Sequence, residues 1–209
     1  MKSPVFNANV SSPREYIMDY WRSHGDGRPQ RYGFVYGKSL FNEAVKKLNI
    51  SNLYNPLERT FESQPVEGVN HSMILVGGPH TCFPWHNEDE DLASINYMHE
   101  GADKLWVVVH RGKPTTDFRE KIIRDFAPFE RKKCSNPIKH KTYSTSLEWL
   151  DNNNIEYSIV RQEAGSYILV LANIYHSGYN TGLNITEGEN IMCPLWSTEH
   201  DEKFACDCK

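Results

Sequence analysis

The tripeptide His86-Asn87-Glu88, taken with His176 far downstream, constrains this chain more than any other feature. Two imidazoles and one carboxylate form the ligand set that holds non-haem Fe(II) on one face and leaves positions open for substrate and O2. To act together they must meet in space, so the fold has to carry the region of residue 176 across to residue 86. Phe83-Pro84-Trp85-His86 and Asp91-Leu92-Ala93-Ser94-Ile95-Asn96-Tyr97 are aromatic and alternating, as half-buried strands are. Side chains two apart on a strand share a face, so His86 and Glu88 can reach one ion. His176 follows the apolar run 167–171 and falls where a second strand of the same sheet system can bring it across. A lone histidine is ordinarily a hydrogen-bonded core residue, and His-x-Glu alone is common; the weight lies in the joint pattern.

With 209 residues the chain is long enough for one domain with a sizeable core. A net charge of −4 excludes a general nucleic-acid binder and leaves room for a basic peptide partner. No apolar run reaches the length of a membrane span. Residues 1–10 carry neither the basic nor the apolar block of a secretory signal, so the protein is expected to be intracellular. Five cysteines are an odd number for a disulfide framework; reduced thiols, some on a metal, are expected instead.

Ser12-Pro13-Arg14-Glu15 predicts a helix start, with Tyr16, Ile17, Tyr20 and Trp21 on its apolar face. Gly25, Gly27 and Pro29 break the chain, so residues 1–30 read as an N-terminal helix and loop. Phe34-Val35-Tyr36 is a strand, and Leu40, Phe41, Ala44, Val45 and Leu48 recur at helical spacing. Residues 72–76, 105–109, 156–160, 167–171 and 190–196 read as strands. Residues 115–129 and 145–150 read as helices, and 52–68 as irregular. Many short strands with few helices predict a mainly β fold, a sandwich or jelly roll flanked by helices.

Lys104 stands at the head of the apolar strand Leu105-Trp106-Val107-Val108-Val109. A buried lysine is costly unless it meets an anion, and a small dicarboxylate that chelates iron at its other end would fit. The series Phe83, Trp85, His86, Glu88, Asp89, Asp91, Leu92, Ser94, Ile95, Asn96, Tyr97, His99, Gly101, Lys104 and Trp106 resembles the core motif of JmjC-domain 2-oxoglutarate-dependent oxygenases. Within them it is most similar to the histone trimethyl-lysine demethylase branch. Gln162-Glu163-Ala164-Gly165 and Tyr175-His176-x-Gly178-Tyr179-Asn180-x-Gly182-x-Asn184 agree as well, and the likeness spans about residues 20–209.

The resemblance implies a double-stranded β-helix, cupin-like JmjC domain over residues 31–209. It implies Fe(II) on His86, Glu88 and His176. Lys104 and Tyr36 would hold the distal carboxylate of 2-oxoglutarate, Asn96 would add a contact, and Phe83 and Trp106 would wall the pocket. Cys134-x5-His140 and Cys206-x-Cys208 offer three thiolates and an imidazole, which suits a closed tetrahedral Zn(II) site. The demethylase branch has such a site in the same ligand order, so zinc is expected to clasp the C-terminus to the central region. Cys82 and Cys193 are expected to be buried, inert thiols.

At the substrate cage this chain departs from the branch. Met73 and Leu75 stand where tyrosines are usual, and Gly188 and Glu189 where small hydroxyl residues are usual; Lys141 and Asn190 match. Fewer aromatic faces weaken cation–π holding of a quaternary ammonium, while Glu189, if turned to the pocket, would pair with a less methylated lysine or with arginine. The JmjN segment of the branch is not seen in residues 1–29. The expected function is demethylation of N-methyl-lysine in histone tails by methyl hydroxylation and formaldehyde release. A protein side-chain hydroxylase is the alternative within the same chemistry, and a catalytically silent chromatin-binding module the alternative outside it. A nuclear monomer acting on a histone or other basic peptide, with no nucleic-acid or membrane site, completes the expectation.

Overall fold

The computed structural model describes residues 11–23, 32–36, 39–42, 49–57, 66, 69–128, 134 and 136–192. Helix α1 spans Pro13–Ser23 and opens as its sequence requires, the Ser12 hydroxyl accepting the Glu15 N–H at 3.3 Å. Nine strands follow among the described residues: β1 Gly33–Tyr36, β2 Met73–Gly77, β3 Cys82–His86, β4 Ala93–Gly101, β5 Lys104–Val109, β6 Tyr157–Gln162, β7 Tyr167–Val170, β8 His176–Asn180 and β9 Asn184–Ile191. Helix α2, Lys113–Phe126, and helix α3, Leu147–Asn152, lie between β5 and β6. Ser146 caps α3 by accepting the Trp149 N–H.

The strands form two antiparallel sheets, ordered β1-β2-β9-β4-β7 and β3-β8-β5-β6. From β2 to β5 and again from β6 to β9 the chain changes sheet at each successive strand. That double winding is the jelly roll expected of the sequence. Alternation along β5 shows how it is filled. Leu105, Val107 and Val109 turn outward into a core with Phe118 and Ile122 of α2, Leu150 of α3 and Ile17 and Tyr20 of α1. Trp106 and Val108 turn inward and meet Phe83, Ile168 and Val170 between the sheets. Helix α1 therefore belongs to the same packed body as the strands.

Several boundaries differ from the sequence reading. The last strand starts at Asn184 rather than residue 190, because the polar run 184–190 finds its partners in the ladders of β2 and β4. Strand β3 stops at His86, so Glu88 follows it on extended backbone, leading into a short 3-10 turn at Asp89–Asp91. The helix expected over residues 40–48 falls mostly outside the described residues, as do residues 193–196. No helix among the described residues is long and apolar enough to cross a membrane.

Phe118 is fully buried and its ring packs against Trp85 and Tyr175, at centroid distances of 4.8 and 5.2 Å. Each of those residues immediately precedes a histidine of the candidate triad. Phe118→Ala is expected to cost about 3–5 kcal/mol of stability, measured by urea denaturation.

Candidate metal centre and anion pocket

Strand β3 pairs with β8 with a register shift between Phe83 and His86. Phe83 faces Gly178 and His86 faces His176, so Pro84 and Trp85 together oppose Ser177 alone. The proline fits there because its missing N–H removes nothing from the ladder. The bulge turns both Phe83 and His86 inward while Trp85 points out to the helices. Trp85 is anchored there by its N–H to the Tyr143 carbonyl at 2.7 Å and its indole N–H to Thr145 Oγ1 at 2.8 Å. At Gly178 a Cβ would sit 2.2 Å from the Phe83 ring, so only glycine lets that ring lie across β8.

His86 and His176 face each other with ring centroids 4.3 Å apart. One donor atom from each of His86, Glu88 and His176 lies within 4.8 Å of the others, and His176 Nε2 is 3.5 Å from Glu88 Oε1. Both Nδ1 atoms face backbone carbonyls, of Pro84 at 2.8 Å and Ile174 at 3.0 Å. A carbonyl only accepts, so each Nδ1 carries the proton and each Nε2 offers its lone pair to the centre. Burial lowers the His86 pKa to about 4, helped by the nearby His176. Burial pushes the Glu88 carboxyl up, but the neighbouring His176 and His86 and a hydrogen bond from Ser94 hold it well below the usual carboxylate range. At neutral pH the set therefore has a neutral His86 and an ionised Glu88, as a divalent cation requires. The donor set fits Fe(II).

These residues open onto a cavity of about 340 Å3, which Lys104, Asn96, Phe83, Trp106 and Tyr36 also line. Lys104 is 4% exposed. Its ammonium donates to Thr186 Oγ1 at 3.2 Å and lies 5.7 Å from the ring centroids of both Phe83 and Trp106. Burial alone drags its pKa down to about 8. A cation so placed calls for an anion from outside the chain. Gln162, fully buried, fixes the neighbours: its carbonyl accepts the Trp106 indole N–H at 2.9 Å and its amide donates to Asn96 Oδ1 at 3.0 Å. Gln162 and Thr186 were not singled out as site residues. Gln162 pairs with Lys104 across β5 and β6, and Thr186 shares a face with Gly188 and Asn190, so only cross-strand register points to them.

Substrate-side expectations divide. Asn190 lines the cavity and pairs with Ser94. Lys141 lines it too, in a left-handed conformation, with its ammonium 3.1 Å from Asp89 Oδ1. Glu189 borders the cavity, but its carboxylate accepts Asn55 Nδ2 at 3.0 Å, and the same amide donates to the Asn190 carbonyl. Alternation along β9 sets the Glu189 side chain on the face opposite Gly188 and Asn190, with Glu187, which takes the Leu40 N–H and His99. Met73 and Leu75 line the cavity, as do Phe34 and Tyr36, their cross-strand partners on β1. Of the expected zinc ligands, Cys134 is buried and His140 ends a 3-10 turn at Pro137–His140. Cys206, Cys208 and Cys193 lie outside the described residues. Cys82 takes a hydrogen bond from the Tyr20 hydroxyl, and burial raises its pKa.

The family described as "JmjC domain, hydroxylase" matches residues 73–191. The chain is 35% identical over 192 residues to probable lysine-specific demethylase 4F of Homo sapiens, covering 90% of this chain and 30% of that protein. It is 31% identical to lysine-specific demethylase 4D of Rattus norvegicus, over 90% of this chain and 37% of that protein. It is also 31% identical to lysine-specific demethylase 4B of Mus musculus, over 91% and 17%. The chain thus spans little more than a third, or less, of the relatives it matches. The double-wound fold and the matched stretch, which contains all three residues of the triad, make one conclusion: the chain belongs to the JmjC-domain family.

Proposed function

We propose that this chain is an Fe(II)- and 2-oxoglutarate-dependent oxygenase that removes methyl groups from N-methyl-lysine in histone tails. The observation that carries the reading is one cavity holding two imidazoles and a carboxylate within ligating reach of each other and, on the same wall system, a buried lysine. His86, Glu88 and His176 would hold the iron. The chemistry that iron and 2-oxoglutarate supply when bound is O2 activation coupled to decarboxylation of the keto-acid to succinate.

The remaining work belongs to the protein's own groups. Lys104, with the Thr186 hydroxyl beside it, supplies the charge that would meet the distal carboxylate, and Tyr36 stands on the facing edge strand as a further donor. Asn96 and Trp106, both tied to Gln162, keep the pocket in one shape before the co-substrate arrives. Phe83 and Trp106 exclude water around the ammonium, which strengthens its pull on an anion. A methyl carbon hydroxylated beside a lysine nitrogen loses formaldehyde without further help from the protein. Lys141 and Asn190 are assigned to the substrate side, and Glu189 to holding Asn55 behind that wall. Cys134, His140, Cys206 and Cys208 are assigned to Zn(II). On this reading residues 31–209 form the catalytic domain with residues 1–30 as its N-terminal helix and loop, and the protein acts as a monomer in the nucleus on histone or other basic peptides.

A second reading, hydroxylation of a side-chain carbon, is favoured by the cavity wall itself. Met73 and Leu75 present aliphatic and thioether surface. At Gly188 a Cβ would already meet Asn96 Nδ2 at 3.1 Å and Leu75 Cδ1 at 3.8 Å, so this position brings neither a hydroxyl nor a ring to the patch.

With Fe(II), 2-oxoglutarate and methyl-lysine histone peptides, the wild type is expected to release succinate and formaldehyde in equal amounts, and His86→Ala neither. Succinate without formaldehyde would favour the hydroxylase; iron binding with neither product would favour a silent binding module. Lys104 gives a test that needs no turnover. Above pH 8 the folded chain gives up the Lys104 proton, while the unfolded chain keeps it to its ordinary 10.5. In that window the unfolded state binds more protons, so its titration makes folding more favourable as pH rises, by up to about 1.4 kcal/mol per pH unit. Denaturation from pH 8 to 9.5 is expected to show this slope in the wild type relative to Lys104→Met.

A further inference from the structure

Behind the triad lies a buried polar node that the oxygenase reading does not use. Lys139 ends in it: its side chain is 5% exposed, and its ammonium donates to Asp91 Oδ1 at 2.7 Å and to the Glu88 carbonyl at 2.9 Å. The Glu88 carbonyl also accepts the Asp91 N–H at 3.1 Å. Asp91 Oδ1 takes a second hydrogen bond from Asn87 Nδ2, and that amide reaches Asn173 Oδ1 at 3.2 Å. Asn173 in turn donates its N–H to the Asp91 carbonyl at 3.1 Å. The node thus holds the residue between His86 and Glu88, the backbone of Glu88 itself, and the residue before Ile174, whose carbonyl orients His176.

The backbone around this node is strained in a way that needs such support. Glu90, Asp91 and Asn173 all sit at left-handed φ, at 51°, 51° and 56°. Each costs on the order of 1 kcal/mol for a residue with a Cβ and persists only where the surroundings over-determine it. A buried ammonium–carboxylate pair is an expensive clamp whose loss would leave Asp91 charged and unneutralised in the interior. Lys139 comes from a separate segment, the Pro137–His140 turn, and contributes no atom to the cavity.

We propose that Lys139 is a positioning residue: through Asp91 it sets the geometry in which Glu88 and His176 meet the metal. The proposal rests on the oxygenase reading, since it takes the triad as a metal site. The test is the affinity of metal-free protein for Mn(II), followed by calorimetry and by the Mn(II) electron-paramagnetic signal, with no turnover required. Lys139→Met and Asp91→Asn are each expected to weaken Mn(II) binding about 10–100-fold, the range for groups that orient ligands without touching the metal. The double variant should lose less than the two losses combined, because both remove one interaction. Amide exchange in the metal-free Lys139→Met protein should speed up at residues 87–91 and 173–175 while the strands of the small sheet stay protected. A lower melting temperature with unchanged Mn(II) affinity would overturn the proposal and leave Lys139 a structural clamp only. Should Lys139→Met fail to fold, Asp91→Asn decides: wild-type Mn(II) affinity in it overturns the proposal. A wild type that binds no Mn(II) at the triad overturns the oxygenase reading, and this proposal with it.

Discussion

The pairing of β3 with β8, one residue out of step, is the constraint on which the rest hangs. Without the bulge at Pro84-Trp85, continuous register from Phe83 would put Trp85 opposite His176 and turn His86 away. The extra residue inverts that parity. It places an indole in the helical core and an imidazole in the cavity from adjacent positions. The same step lets Phe83 cover Gly178 and wall the lysine pocket. One irregularity therefore builds part of the candidate metal centre and part of the candidate anion pocket.

The larger sheet divides its polar side chains by face. Inward it shows Ser94, Asn96 and Asn190 to the cavity and Thr186 to the Lys104 ammonium. Outward it buries two carboxylates, Glu187 and Glu189, under the segment that carries Leu40, Phe41 and Asn55. Buried charge of this kind is tolerable only with donors in place, and backbone and amide N–H groups supply them here. The result is a rigid wall: the outward hydrogen bonds hold β9 against the covering segment while its inward face stays free for ligands. Glu189 borders the cavity, yet its carboxylate is engaged by the Asn55 amide and forms part of that support.

What remains on the inner wall is less polar than the resemblance to trimethyl-lysine demethylases would lead one to expect. Met73, Leu75 and Gly188 form one patch, and Phe34 and Tyr36 stand beside it as the cross-strand partners of Leu75 and Met73. An ammonium entering this cavity would find aromatic faces on β1 rather than on β2, and the flexible thioether of Met73 adapts to more than one shape. The two ends of the cavity are thus built differently: a polar network ties Asn96, Gln162 and Trp106 beside Lys104, while Met73 and Leu75 line the other wall with apolar surface.

The sequence by itself determined a great deal. That His86, Glu88, His176 and Lys104 would meet at one cavity was legible because few residue types suit such chemistry and because their flanking residues match a known motif. The strands were legible from period-two patterning, and α1 from Ser12 and its apolar stripe. Facing was not legible. Whether Glu189 looks into the cavity, and that Gln162 links Trp106 to Asn96, depends on register between strands distant in the chain. Nor could the sequence show that Lys139 reaches back to Asp91 and Glu88. These are decided only by tertiary structure, because a side chain's face follows from its strand's parity, and one bulge anywhere along a ladder reverses it without leaving a mark in composition or spacing.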